Sequence, residues 1–157
     1  MNPSDTYITS LDEVLWGSVM IGLIICIHGA GVIATLRLDR RLKRNSVRRS
    51  FLDGMGVLVV ATLFLVLVHL FEVIVWGEFL WHKGAFGNRS LSIYYALMQY
   101  TTVSSSYVLP DRLRLLGGLI PLSGMLTVAW STSVLFVLAR PFVARYSGDE
   151  DAVSRSD

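Results

Sequence analysis

Three stretches without a charged side chain constrain this chain more than any other feature. Residues 14–36, 54–71 and 115–139 contain no Asp, Glu, Lys or Arg. An α-helix needs about 20 apolar residues to cross roughly 30 Å of hydrocarbon. Three such runs in 157 residues, 53% of them hydrophobic and with a mean hydropathy of +0.55, predict an all-α membrane protein with three transmembrane helices. They leave no room for a separate soluble domain.

A fourth uncharged run, residues 90–110, has a different texture. It opens with Leu91, Tyr94, Tyr95 and Met98 at helical spacing. It then becomes Thr101-Thr102-Val103-Ser104-Ser105-Ser106-Tyr107, a string of small hydroxyl residues. Ser and Thr compete for backbone hydrogen bonds and favour caps and turns, and the residue before Pro110 is pushed out of helical geometry. The reading is a pore helix over about 92–100, followed by a re-entrant loop between the second and third spans. Irregular backbone at membrane depth survives only where protein buries it or water lines it. The alternative makes 90–110 a fourth span. It would put Arg140 and Arg145 outside and a serine run against lipid.

The rest of the chain follows from that loop. Residues 1–13 are an extracytoplasmic amino terminus, whose Asp12 and Glu13 suit the first turn of a helix. They also make a cleaved signal peptide unexpected, since no basic segment precedes the first apolar run. The first transmembrane helix covers 14–36, with Trp16 as an interfacial anchor and His28 inside it. Residues 37–53 form a basic loop, and 37–49 alone hold seven of the 14 Lys and Arg residues. Such a segment is either a binding site for anionic lipid or nucleic acid, or a positive-inside topology signal. The second reading is taken, with anionic lipid as the headgroup partner and no nucleic acid. Residues 54–140 form one module of helix, short helix with re-entrant loop, and helix. Residues 141–157 are a charged cytoplasmic tail expected to be disordered. The implied location is the plasma (inner) membrane, multi-pass, with the amino terminus outside and the carboxyl terminus in the cytoplasm.

Few residues offer chemistry. His69 and Glu72 lie three apart on the second span and share a helix face. They read either as a proton- or cation-sensing pair or as a hydrogen-bonded pair that pins the helix. A metal site needs a third ligand, and His28 lies at a different distance from the cytoplasmic charges, so no metal is expected. Cys26 is the only cysteine, which excludes an intrachain disulfide and a cysteine metal cluster. Three histidines are too few for a histidine-rich di-iron enzyme. No nucleophile elbow, phosphate loop or nucleotide fingerprint is present, so an enzyme is not expected. Gly117, Gly118, Pro121 and Gly124 on the third span read equally as a gating hinge or as close packing. Ser123, Thr127 and Ser131 recur four apart. That stripe either faces a water-filled vestibule or bonds back to its own helix.

The run Tyr94-Tyr95-Ala96-Leu97-Met98-Gln99-Tyr100-Thr101-Thr102-Val103 resembles the potassium-channel pattern YFSLVTxTTVGYGD. Small bacterial ion-channel proteins of the two-pore-domain-like type are closer still. Val108-Leu109-Pro110, Arg114-Leu115-Leu116-Gly117 and Trp130-Ser131-Thr132 match segments they carry after the filter. The resemblance extends over about residues 15–140. It implies a homo-oligomer, a tetramer, around one pore, with a permeant monovalent cation, potassium or sodium, and no cofactor. It assigns Thr101, Thr102, Val103, Ser104, Ser105, Ser106 and Tyr107 to the pore and filter. Gly117, Gly124, Thr127 and Ser131 then fall on the inner helix as hinge or lining.

The resemblance breaks where the family has Gly-Tyr-Gly-Asp, because this chain has Ser104-Ser105-Ser106-Tyr107. The family's filter stacks backbone carbonyls into rings, which requires residues with positive φ that glycine adopts freely. An L-residue there costs on the order of 1–2 kcal/mol. The expectation is therefore a channel with altered or weak selectivity, or, as the alternative, a non-conducting homologue acting as scaffold or modulator.

Overall fold

The computed structural model describes residues 11–45 and 51–153, with side chains for 11–41 and 54–140. Every regular element among them is helical: α1 (Leu11–Asn45), α2 (Phe51–His82), α3 (Arg89–Tyr100), one 3-10 turn (Asp111–Leu113) and α4 (Leu116–Val153). Leu11–Arg41, Gly54–His82 and Asp111–Arg140 are each long and apolar enough to cross a membrane. The three spans expected from the uncharged runs are thus three helices.

Each helix outlasts its apolar run. Nucleation is the costly step in making a helix, and each added residue then gains a hydrogen bond. Arg, Lys and Leu are also good helix formers. α1 accordingly continues through the first part of the basic segment, while residues 46–50 lie outside the described residues. α4 likewise continues to Val153, into the segment expected to be a disordered tail; residues 154–157, like 1–10, are outside the described set.

The chain divides into two compact units, Met1–Gly29 with Val68–Val128, and Ala30–Leu67 with Ala129–Asp157. In the first, α1 buries Glu13, Gly17, Met20, Ile24 and His28, a stripe at three- and four-residue spacing. Its apolar core joins Ile24, Trp76, Leu80, Tyr95, Ala96, Leu116 and Ile120. α3 begins at Asn88, whose side chain accepts a hydrogen bond from the Ser90 amide at 2.8 Å. It lies against glycines on two helices. A Cβ at Gly77 would stand 2.6 Å from Ile93 Cα, and one at Gly124 would stand 2.3 Å from the Tyr100 carbonyl oxygen. The Leu115 amide donates to Glu13 Oε1 at 3.1 Å, so α1's first turn supplies an anion to the start of α4.

The second unit has a small core of Val32, Leu65 and Val134. Thr35, Thr62 and Ser133 bond back to the carbonyls of Gly31, Leu58 and Ala129, which satisfies their hydroxyls within their own helices. In both units large apolar side chains stay exposed, among them Leu63, Leu67, Phe71, Leu126, Phe136 and Val137. A soluble monomer rarely shows so much exposed apolar surface; helices bathed in lipid do.

Candidate functional site

The ten residues 101–110 join α3 to the 3-10 turn without regular structure. They are held at both ends. Leu109 and Leu113 are buried in the first unit's core. Tyr107 makes edge contacts with Phe86 and Tyr94, at ring-centroid distances of 6.4 and 6.3 Å. The Arg112 guanidinium donates to the carbonyls of Lys83 and Gly84 at 3.2 and 3.3 Å, tying the loop's exit to the α2–α3 connection. Between these anchors Thr101, Thr102, Val103, Ser104, Ser106 and Tyr107 are exposed and Ser105 is half-buried.

Backbone strain is concentrated here. Among the described residues, Thr102 (φ 62°) and Ser104 (φ 72°) are the non-glycine residues in the left-handed region. A potassium filter needs left-handed backbone at its glycine positions, which Ser104 and Ser106 occupy here; Ser104 has it and Ser106 does not. The physical reason lies in how α3 ends. The Thr102 amide donates to Gln99 O at 2.9 Å and the Val103 amide to Met98 O at 3.0 Å. Those two bonds make a Schellman cap, whose penultimate residue must be left-handed. α2 ends in the same motif, with Gly84 (φ 66°) at the corresponding place. Helix termination therefore uses glycine once and a β-branched threonine the second time. One left-handed residue is spent on the cap, and the loop's own geometry needs only Ser104.

A buried polar network lies directly behind the loop. Tyr100, the last residue of α3, donates its hydroxyl proton to Glu72 Oε2. Its oxygen stands 2.9 Å from His69 Nδ1 and 2.6 Å from Thr127 Oγ1. Glu72 Oε1 accepts from His28 Nδ1 at 2.9 Å, and Oε2 is 3.4 Å from His69 Nδ1. Glu72, His28 and Thr127 have no exposed surface. Beside them the Trp76 indole donates to Ser123 Oγ at 3.0 Å, and Ser123 donates to the Ile120 carbonyl at 2.7 Å. The network links α1, α2, α3 and α4 at one level.

His69 and Glu72 do face one another. His28, expected at a different depth, joins them. The expectation measured depth from charged residues, whereas the helices run past those charges. His28 lies 17 residues before the end of α1 and His69 18 residues after the start of α2, so counted from the helix ends they match. Thr127, Gly124 and Ser131 are buried, and Gly117 is half-buried with a Cβ position 3.0 Å from the Tyr95 hydroxyl. Thr127 and Gly124 therefore face the chain's own interior, against Tyr100, where a vestibule-facing stripe was one of the two expectations. No sequence signal marked Tyr100 or Trp76 as polar partners.

No protein-family model, curated protein or solved structure matches this chain.

Proposed function

We propose that the chain is one subunit of a tetrameric pore-loop cation channel. Residues 101–106 line its constriction, and α3 is a pore helix that re-enters the membrane. The observation that carries this reading is the bonding of Tyr100 to Glu72 and Thr127. Glu72 is ten residues inside the end of α2, and Thr127 is eleven residues inside the start of α4. At 1.5 Å per residue both positions lie about 15–17 Å into their helices, near half of a roughly 30 Å hydrocarbon layer. A helix of 12 residues is too short to cross, so a helix ending at that depth must turn back.

The exposed loop supports assembly. Non-helical backbone at membrane depth requires protein or water around it, and one chain leaves residues 101–104 uncovered. Further copies around a shared axis provide the enclosure, and four follow from the potassium-channel resemblance. α3 directs the negative end of its dipole toward the loop, which favours cations there. Thr and Ser hydroxyls then meet a monovalent cation, potassium or sodium, without a bound cofactor and without catalysis. The strained but non-glycine backbone at Ser104 favours weak or altered selectivity. The positive flanks favour an orientation with the amino terminus outside, in what we take to be a plasma (inner) membrane.

The test is ion flux through the purified protein in liposomes, comparing potassium, sodium and a larger organic cation. Flux with poor discrimination between potassium and sodium is the expected result. An intact tetramer with no flux in any of the three overturns it and assigns the chain to a non-conducting membrane scaffold.

A further inference from the structure

We infer that His28, His69 and Glu72 form a binding site for a divalent transition-metal ion, of which zinc is the best match. One donor atom from each side chain lies within 4.8 Å of the other two. His28 Nδ1 is 2.9 Å and His69 Nδ1 is 3.4 Å from the Glu72 carboxylate. A tetrahedral ion with nitrogen and oxygen ligands at about 2.0–2.2 Å holds its ligands roughly 3.3–3.5 Å apart. The His69–Glu72 separation already matches that spacing and the His28–Glu72 one, to the other carboxylate oxygen, is shorter, so three donors no more than 4.8 Å apart need a modest side-chain adjustment to close around one ion.

Donor type narrows the ion. Two imidazoles and one carboxylate suit zinc and its neighbours, whereas magnesium and calcium prefer all-oxygen shells. Three protein ligands with a fourth position left for water is the pattern of open zinc sites. Charge points the same way. Glu72 is fully buried, and the side chains that meet its carboxylate are His28, His69 and Tyr100. A buried carboxylate is stable only when its charge is compensated, and an ion held by the same two imidazoles compensates it. The surroundings also fit. Tyr100 donates to the second carboxylate oxygen and is itself set by Thr127, an outer shell that fixes how the ligand is presented. His69 remains partly exposed, at 18% of its side chain, and gives the ion a way in.

The site has a structural consequence because its three ligands come from α1 and α2, while Tyr100 ends α3 one residue before the exposed loop. An ion there fastens the pore helix to the helices behind it. This inference does not depend on conduction, and its test does not read flux.

The purified full-length protein, stripped with chelator, is equilibrated with zinc and passed through metal-free buffer. Bound metal is then counted by mass spectrometry. One zinc per chain is expected. His28→Gln and His69→Gln each lower the affinity by at least about 100-fold, and Tyr100→Phe lowers it by about 10-fold. His82→Gln, at the exposed end of α2, leaves it unchanged. Wild-type protein that elutes without zinc overturns the proposal, and so does equal retention by His28→Gln and His69→Gln. Should those variants fail to assemble, X-ray absorption of the zinc-loaded wild type decides. Two imidazoles and one carboxylate oxygen at about 2.0–2.2 Å uphold the site, and a shell without imidazole scattering overturns it.

Discussion

His28 Nδ1 stands 2.9 Å from Glu72 Oε1, a contact between two fully buried side chains 44 residues apart in the sequence. Within hydrocarbon-facing helices such a pair has two effects. It satisfies groups that no water reaches, and it fixes the register of α1 against α2. Apolar packing is non-directional and specifies register less sharply than a hydrogen bond does.

That asymmetry gives a double-mutant test. His28→Leu leaves Glu72 Oε1 without its imidazole partner and should cost about 1–3 kcal/mol, the penalty for a buried unsatisfied group. Glu72→Leu should cost a similar amount through the contacts that His28, His69 and Tyr100 lose. The double variant should cost less than the two together, with a coupling of roughly 0.5–3 kcal/mol. Unfolding in detergent with chelator present measures all three without any contribution from metal. Strict additivity would mean the pair contributes nothing specific.

Tyr100 is the member of the network that reaches the loop. Tyr100→Phe removes a single hydroxyl while preserving ring packing, yet deprives Glu72, His69 and Thr127 of a partner at once. Measured interhelical hydrogen bonds in membrane proteins average about 0.6 kcal/mol and reach about 1.7 kcal/mol. A three-way hydroxyl belongs at the upper end, so a loss of about 1–2 kcal/mol is expected by thermal unfolding in detergent. Amide exchange of Thr101–Ser104 should quicken as well, because the C-terminal turn of α3 loses its fastening.

The uncharged runs made the three spans legible, since no other element satisfies so long an apolar backbone in lipid. The end of α3 was legible too, from the change at Tyr100 to a hydroxyl-rich segment. What could not be read was which polar residues meet. His28, His69 and Glu72 were visible individually, but their common level depends on where the helices stop, and helices of Arg, Lys and Leu do not stop at the edge of the apolar run. Thr127 was visible as one of a stripe. Its direction depends on Gly124 letting Tyr100 approach, a relation between residues that are distant in sequence. The cap at Thr102 was hidden for another reason: the Schellman motif advertises itself by glycine, as at Gly84, and here threonine takes the place.

Glycine packing gives a contrast that sequence alone does not. A Cβ at Gly124 would stand 2.3 Å from the Tyr100 carbonyl oxygen, whereas one at Gly22 meets nothing within 4 Å. Gly124→Ala should therefore force α3 away from α4 and cost about 1–3 kcal/mol, as overpacking does. Gly22→Ala should be neutral or stabilising by up to about 1 kcal/mol, because alanine is the better helix former. Thermal unfolding of the two variants side by side separates packing from propensity. Equal effects would show that α3 and α4 are free to part at no cost.

The left-handed residues of the loop separate stability from selectivity. Ser104 holds φ 72° and Thr102 holds φ 62°, whereas Ser106 is not in that region. Relieving an L-residue there returns roughly 1–2 kcal/mol, from which glycine's extra freedom in the unfolded chain subtracts roughly 0.5–1 kcal/mol. Thr102→Gly and Ser104→Gly should each raise stability by up to about 1 kcal/mol, and Ser106→Gly should lower it slightly. Selectivity should follow a different rule. If carbonyls of this loop contact the ion, a glycine at 104 lets the backbone sample the inward-pointing geometry, and Ser104→Gly with Ser106→Gly should shift the potassium-to-sodium flux ratio upward in liposomes. A stability gain from Ser104→Gly with no change in that ratio would place the strained residue in the helix-to-loop turn alone, and would take the backbone at 104 out of the ion path.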